Sequence, residues 1–207
     1  MSERSQVLAQ EGVRDAASAY RTNALEIVQN EVPQGYKRTE VGVIPEDWEV
    51  DTLGRHVTIT SGESPSLLAF TSHGFPYFKV EQLGKSEKYL VAESTPYHFL
   101  KGQRVAGGSV IFAKRGAAIA LNKIRLLRTE SFMDTNLMTL TPDESLDGEY
   151  LYYQFGYIGL WRFADTTSVP QINNKHVKPL PFPLPPQEEE QRAIATALSD
   201  ADALIES

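Results

Sequence analysis

Prolines occupy positions 179, 181, 183, 185 and 186, in the run Pro179-Leu180-Pro181-Phe182-Pro183-Leu184-Pro185-Pro186. Proline has no backbone N–H and a fixed φ, so such a run is barred from a helix interior and from a central strand. The spacing predicts a stiff connector in polyproline conformation. A ligand for a proline-reading domain is the alternative, but the run leads straight into a helix. Proline suits a first helical position, and Glu188, Glu189 and Glu190 then complement the helix N-terminus. Ile194, Ala197, Leu198, Ala201, Leu204 and Ile205 follow at alternating three- and four-residue steps, a heptad-like stripe that wants a partner helix. The stripe still runs at Ser207, so this coiled-coil-type helix reads as truncated.

Upstream of the prolines the pattern changes period. Val57–Thr60, Tyr77–Val80, Ser109–Ala113, Ala117–Leu121, Ile124–Leu127 and Leu137–Leu140 read as short strands separated by Gly, Pro, Ser and Asn. Residues 147–163 read as a helix capped by Asp147, with Leu151, Phe155, Ile158 and Trp161 on one face, and with Gly156 and Gly159 weakening it toward a short or broken helix. Trp48, Trp161 and Phe163 are assigned to the core. At the other end, Val13, Ala16, Ala17, Tyr20, Ala24 and Ile27 predict a helix over 5–31, and Pro33, Gly35, Gly42 and Pro45 an extended connector over 32–47. The fold class is α+β: a β-rich domain over 48–182, an N-terminal helix and connector over 1–47, and the proline entry and C-terminal helix over 183–207.

The net charge of −7 argues at first against a polyanionic partner. It is unevenly spread. Residues 51–182 hold fourteen Lys/Arg against twelve Asp/Glu, whereas the two flanks hold six against fifteen. Within the middle, residues 101–128 carry Lys101, Arg104, Lys114, Arg115, Lys123, Arg125 and Arg128 and no acid. Such a window is either a solvated face or a stripe that meets phosphate.

Enzyme machinery is hard to find. The four histidines, His56, His73, His98 and His176, are scattered, and there is no cysteine, so neither a thiolate zinc site nor a disulfide framework is available. The lack of cysteine suits the cytoplasm. No phosphate-binding glycine loop, nucleophile elbow or membrane-length apolar run occurs. A binding module is favoured over a hydrolase, with no metal site expected.

Four segments are more specific. They are Tyr36-Lys37-Arg38-Thr39-Glu40-Val41-Gly42-Val43-Ile44-Pro45-Glu46-Asp47-Trp48, Gly108-Ser109-Val110-Ile111-Phe112-Ala113-Lys114-Arg115-Gly116, Asp134-Thr135-Asn136-Leu137-Met138, and Thr167-Ser168-Val169-Pro170-Gln171-Ile172-Asn173-Asn174 leading to Pro183-Leu184-Pro185-Pro186 and Glu190-Gln191-Arg192. In this order and spacing they resemble the specificity subunit of type I restriction–modification systems. The resemblance implies a non-catalytic protein that recognises double-stranded DNA and has no cofactor of its own. It implies methyltransferase subunits, which bind S-adenosylmethionine, and a restriction subunit with the ATP-driven motor as partners, with no membrane role. Such subunits usually hold two recognition domains, and this chain has room for one. It therefore looks like a half-subunit or fragment that reads one half-site and can self-associate. The rival reading is a helical assembly module.

Arg and Lys hold phosphates or bind guanine, and Asn and Gln pair with adenine. The candidate DNA contacts are therefore Lys79, Arg104, Lys114, Arg115, Lys123, Arg125, Gln171, Asn173, Asn174 and Lys175. Ser61, Gly62 and Ser64 form a further loop able to hold phosphate. The partner-helix interface is assigned to Ile194, Leu198, Ala201, Leu204 and Ile205. Family members read different sequences, so shared segments are expected to hold the fold or bind phosphate rather than specify bases.

Overall fold

The computed structural model describes residues 32–64, 71–165 and 169–206. The helix expected over 5–31 lies outside them. The chain divides into two units, Met1–Glu46 and Asp47–Ser207.

In the first unit, β1 (Tyr36–Thr39) and β2 (Gly42–Pro45) form an antiparallel hairpin. The sequence pattern read as an extended connector with turns, and the extended pieces prove to pair across one of them: Gly42 takes φ 115° and Thr39 Oγ1 donates to the Gly42 carbonyl at 2.9 Å.

The second unit is built on a five-stranded sheet. Its members are β4 (Val57–Ser61), β6 (Tyr89–Leu90), β8 (Val110–Ala113), β9 (Ile124–Leu127) and β11 (Leu137–Pro142), in the order β4-β11-β8-β9-β6. All pairs are antiparallel except β6 with β9. Strand β8 is buried on both faces, and the period of two sorts its residues between two cores. Val110 and Phe112 join Ile124, Leu126, Met138 and Leu140 in the main core, beneath Leu151 and Phe155 of α2 (Gly148–Ile158). Ile111 and Ala113 join Leu127 and Leu137 in the second core, with Phe78, Leu83 and Leu90. A smaller sheet, β10-β5-β7, holds β5 (Phe75–Phe78), β7 (His98–Phe99) and β10 (Phe132–Met133) around Tyr77, Phe99 and Phe132.

Two local expectations change, and a third becomes specific. Residues Ala117–Ala120 form a short helix, α1, not a strand. Gly116 takes φ 83° and turns the chain, and alanine has little β propensity to oppose the turn. The helix from Asp147 stops at Ile158 because Gly159 adopts φ 81°, and Leu160–Arg162 forms a separate 3₁₀ turn. The Asp147 cap holds as expected, accepting from the Glu149 and Tyr150 amides at 2.9 Å.

The other change is in the proline run. Pro181–Leu184 is a strand, β12, paired antiparallel with β3 (Glu49–Thr52). The Leu53 amide donates to the Leu180 carbonyl at 2.8 Å. In this register Phe182 and Leu184 point their backbone groups at β3, while Pro181 and Pro183 face away. Alternate prolines thus fit a strand with a single partner. The last two elements are α3 (Asn174–Val177) and α4 (Glu188–Glu206). Gln191 of α4 is buried. Its Oε1 accepts from the Asp147 amide at 2.7 Å, and its Nε2 donates to the Ser145 and Pro185 carbonyls at 3.0 and 3.1 Å. Trp48 Nε1 donates to Glu190 Oε1 at 3.0 Å. Two of the shared segments therefore hold the fold together here.

Candidate nucleic-acid interface

Strand β8 delivers Lys114 and Arg115 to its end, where four loops converge. The Lys114 amide donates to the Asn136 carbonyl at 2.9 Å, and the Lys114 carbonyl accepts from the Ile172 amide at 2.9 Å. The Gly116 amide donates to the Pro170 carbonyl at 3.1 Å, and Arg115 and Gln171 form an antiparallel bridge. Lys114 Nζ donates to Ser61 Oγ at 3.2 Å. Beside it, Asp134 Oδ1 accepts from the amide and side chain of Asn136 at 2.7 and 2.8 Å. Gly62 is required for this closeness, since a Cβ there would lie 2.1 Å from the Asp134 carbonyl oxygen. Burial pulls the Lys114 ammonium below the ordinary lysine value of 10.5, and Arg115 beside it adds to that; Asp134 partly opposes both.

Of the candidate DNA contacts, Lys114, Arg115 and Gln171 are thus brought together. Asn173, Asn174 and Lys175 follow at once, exposed around the start of α3, where the Asn173 amide donates to His176 Nδ1 at 3.2 Å. Arg115 is exposed and Gln171 half-buried.

Four candidates lie elsewhere. Lys79 Nζ sits 3.7 Å from the Tyr97 ring centre. Arg104 pairs with Glu130 at 2.9 Å and stacks on Phe75 at 4.3 Å. The window without acids in sequence therefore meets an acid in space. Lys123 lies against Gly84, its Nζ 3.0 Å from where a Cβ would stand. Arg125 is half-buried, with Nη1 bonded to the Ile124 carbonyl at 2.6 Å. Burial pushes its pKa down, and its Nε has no partner among the described residues. On α4, Ile194 packs against the main core. Leu198 and Ala201 are exposed, and Leu204 and Ile205 are 77% and 83% exposed.

Several residues escaped the sequence. Trp161, assigned to the core, is 59% exposed, because the turn at Gly159 swings it off the α2 face. Lys88 gave no signal at all. Its Nζ bonds Glu149 at 2.8 Å, Tyr153 Oη at 3.2 Å and Ser199 Oγ at 3.1 Å, tying β6 to α2 and α4. The Asp134–Asn136 turn was visible only as part of a shared segment. Among the described residues no three His, Asp or Glu side chains are grouped to hold a metal ion, and no helix is long and apolar enough to cross a membrane.

Residues 45–207 match the family described as the type I restriction modification DNA specificity domain. Three proteins of Methanocaldococcus jannaschii are similar along the chain. The provisionally named type I restriction enzyme MjaX specificity subunit is 28% identical over 83% of this chain and 43% of its own length. The MjaIX specificity subunit is 24% identical over 83% and 42%, and the MjaVIII specificity subunit 26% over 84% and 44%. The chain thus spans less than half the length of these relatives. Among solved structures, the HsdS subunit from Thermoanaerobacter tengcongensis superposes with a TM-score of 0.63 at 20% identity, over 98% of this chain and 49% of that one. A chain from a study of the assembly and conformational transition of the type I R-M system gives 0.66 at 20% identity, over 98% and 50%. These two likenesses carry the fold. With the family match over most of its length, the chain belongs to the DNA specificity subunits of type I restriction–modification systems, and residues 45–207 supply one recognition domain.

Proposed function

We propose that the chain reads one half of a split DNA target for a methyltransferase and restriction complex and performs no chemistry itself. The observation that carries this reading is the convergence of Lys114, Arg115 and Gln171 at one loop cluster, with Asn173, Asn174 and Lys175 beside it. In this reading lysine and arginine there hold the phosphate backbone, and the amide side chains address base edges. Lys79, Arg104, Lys123 and Arg125 are secondary contacts in this reading. Methyltransferase subunits bring S-adenosylmethionine and the restriction subunit ATP. The exposed Leu204 and Ile205, with Leu198 and Ala201, form the face through which α4 meets a partner helix, in a methyltransferase subunit or a second copy.

Sequencing methylated sites in cells carrying the complete system identifies the motif. A duplex bearing it is then titrated with the full chain at several salt concentrations. Affinity is expected to fall steeply with salt as counterions are released, and Arg115→Ala to reduce the slope by about one. Binding that ignores salt overturns the reading.

A further inference from the structure

The corner where α1 meets the turn after α2 presents apolar side chains to solvent. Leu121 is 65% exposed, Trp161 59%, and Tyr157, on the last turn of α2, 84%. A single exposed apolar side chain is ordinary, but three on two adjoining turns form a patch of the kind that marks an interface. The two turns are fastened together. Asn122 donates from Nδ2 to the Gly156 carbonyl at 2.8 Å and accepts at Oδ1 from the Leu160 amide at 2.9 Å. Beneath them Ile119 and Leu160 are buried in the main core. The patch is therefore held in place before anything binds, so little ordering cost attends its use.

Its surroundings are cationic toward Trp161 and acidic toward Tyr157, where Asp202 of α4 shares a pocket with Asn122, Gly156 and Tyr157. Arg162 lies 5.3 Å from the Trp161 ring centre. Helix α1 follows directly on Lys114-Arg115-Gly116. On the other side, Asp165 pairs with Gln171, whose own bridge is to Arg115. Asp165 is the one acid in the described parts of the segments 114–123, 159–165 and 169–178. An apolar patch continuous with these loops suits a polyanion that also offers flat apolar surfaces, which describes stacked base pairs.

We propose that Trp161, backed by Leu121, is an apolar wedge that enters the duplex at a base step beside the Lys114–Arg115–Gln171 loops. The inference rests on the reading of the chain as a DNA-recognition protein. A wedge partly unstacks a step and kinks the duplex, and Arg162 beside the ring stands where the flanking phosphates would lie. Some steps open more readily than others, so the wedge contributes sequence preference at a position that receives no hydrogen bond.

Energy transfer between dyes at the two ends of a duplex carrying the methylated motif measures the bend produced by the full chain at low salt. The wild-type chain is expected to bend it, whereas Trp161→Ala keeps the salt slope and reduces the bend below about 20°. Its preference for the motif over a scrambled duplex falls about tenfold. Trp161→Phe is expected to restore most of the bend. Wild-type binding without bending, or equal bending by Trp161→Ala, overturns the wedge and leaves DNA recognition standing. Failure of the wild-type chain to bind any duplex at low salt overturns both. An unchanged bend with lost co-elution of the methyltransferase subunit assigns the patch to a protein partner instead.

Discussion

Lys114 combines two demands. It is partly withdrawn from water at a crowded loop junction, and it retains a charge for an anion. Burial, with Arg115 next to it, lowers its pKa from 10.5, so its charge is lost at lower pH than that of a surface lysine. Affinity for duplex DNA is therefore expected to decline as pH rises toward the ordinary lysine value of 10.5, and the salt slope to shrink by about one ion. Lys114→Arg should hold both constant over that range, as measured by titration at fixed salt and stepped pH. A slope that does not move with pH in the wild-type chain would remove Lys114 from the phosphate contacts. The residue types at this site were readable in the sequence; their meeting was not. Arg115 and Gln171 face each other through a bridge between distant segments, and no local pattern encodes such pairing. Trp161 was misplaced for the opposite reason. Local spacing put it on the α2 face, but a positive φ at Gly159 overrode the period.

At the level of elements, hydrophobic period located four of the five strands of the main sheet and α2, because burial on opposite faces of β8 leaves a strong imprint, but not the short strands outside that sheet's centre. It could not find the polar ties that hold α4. One such tie is Lys88, with its side chain 15% exposed against Glu149 at 38%. Burial opposes the charge on Lys88, yet hydrogen bonds to Glu149 and Tyr153 raise its pKa on balance. Burial likewise opposes the charge on Glu149, and hydrogen bonds from Lys88 and Tyr89 lower its pKa on balance from 4.5. The lysine contribution is therefore present below its unfolded pKa near 10.5 and lost as pH climbs through the raised folded value. The glutamate contribution is present above 4.5 and lost as pH falls through the lowered one. Lys88→Met should cost about 1 kcal/mol near neutral pH, allowing for solvent screening at Glu149. The deficit should shrink in acid, where the wild-type chain also loses the pair. Thermal melts of both chains from pH 3 to 8 check this; a deficit independent of pH would mean that Lys88 acts by packing alone.

For the molecule as a whole, an overall −7 and a DNA-binding role are compatible because charge is segregated. Acid collects toward α4, while cations gather where four loops meet. The two-stranded β3–β12 sheet has an edge of its own to protect. An open strand edge invites a foreign strand to add to it. The outer edge of β12 offers no amide donor at Pro181 or Pro183, and the Pro183 carbonyl is occupied by Tyr150 Oη at 2.9 Å. The Pro185 carbonyl just beyond is held by Gln191. Only the half-buried Pro181 end of this edge is accessible, so Pro181→Ala would restore a usable donor there, at a cost of about 0.4–1 kcal/mol through the unfolded chain. Light scattering during prolonged incubation at high concentration should then rise sharply while the fold persists by circular dichroism; scattering equal to wild type would refute the idea. The sheet ends at β12 for two reasons that the proline spacing alone does not reveal: Pro181 withholds a donor where the edge is accessible, and at Pro183 the Tyr150 side chain of α2 already occupies the place a further strand would take.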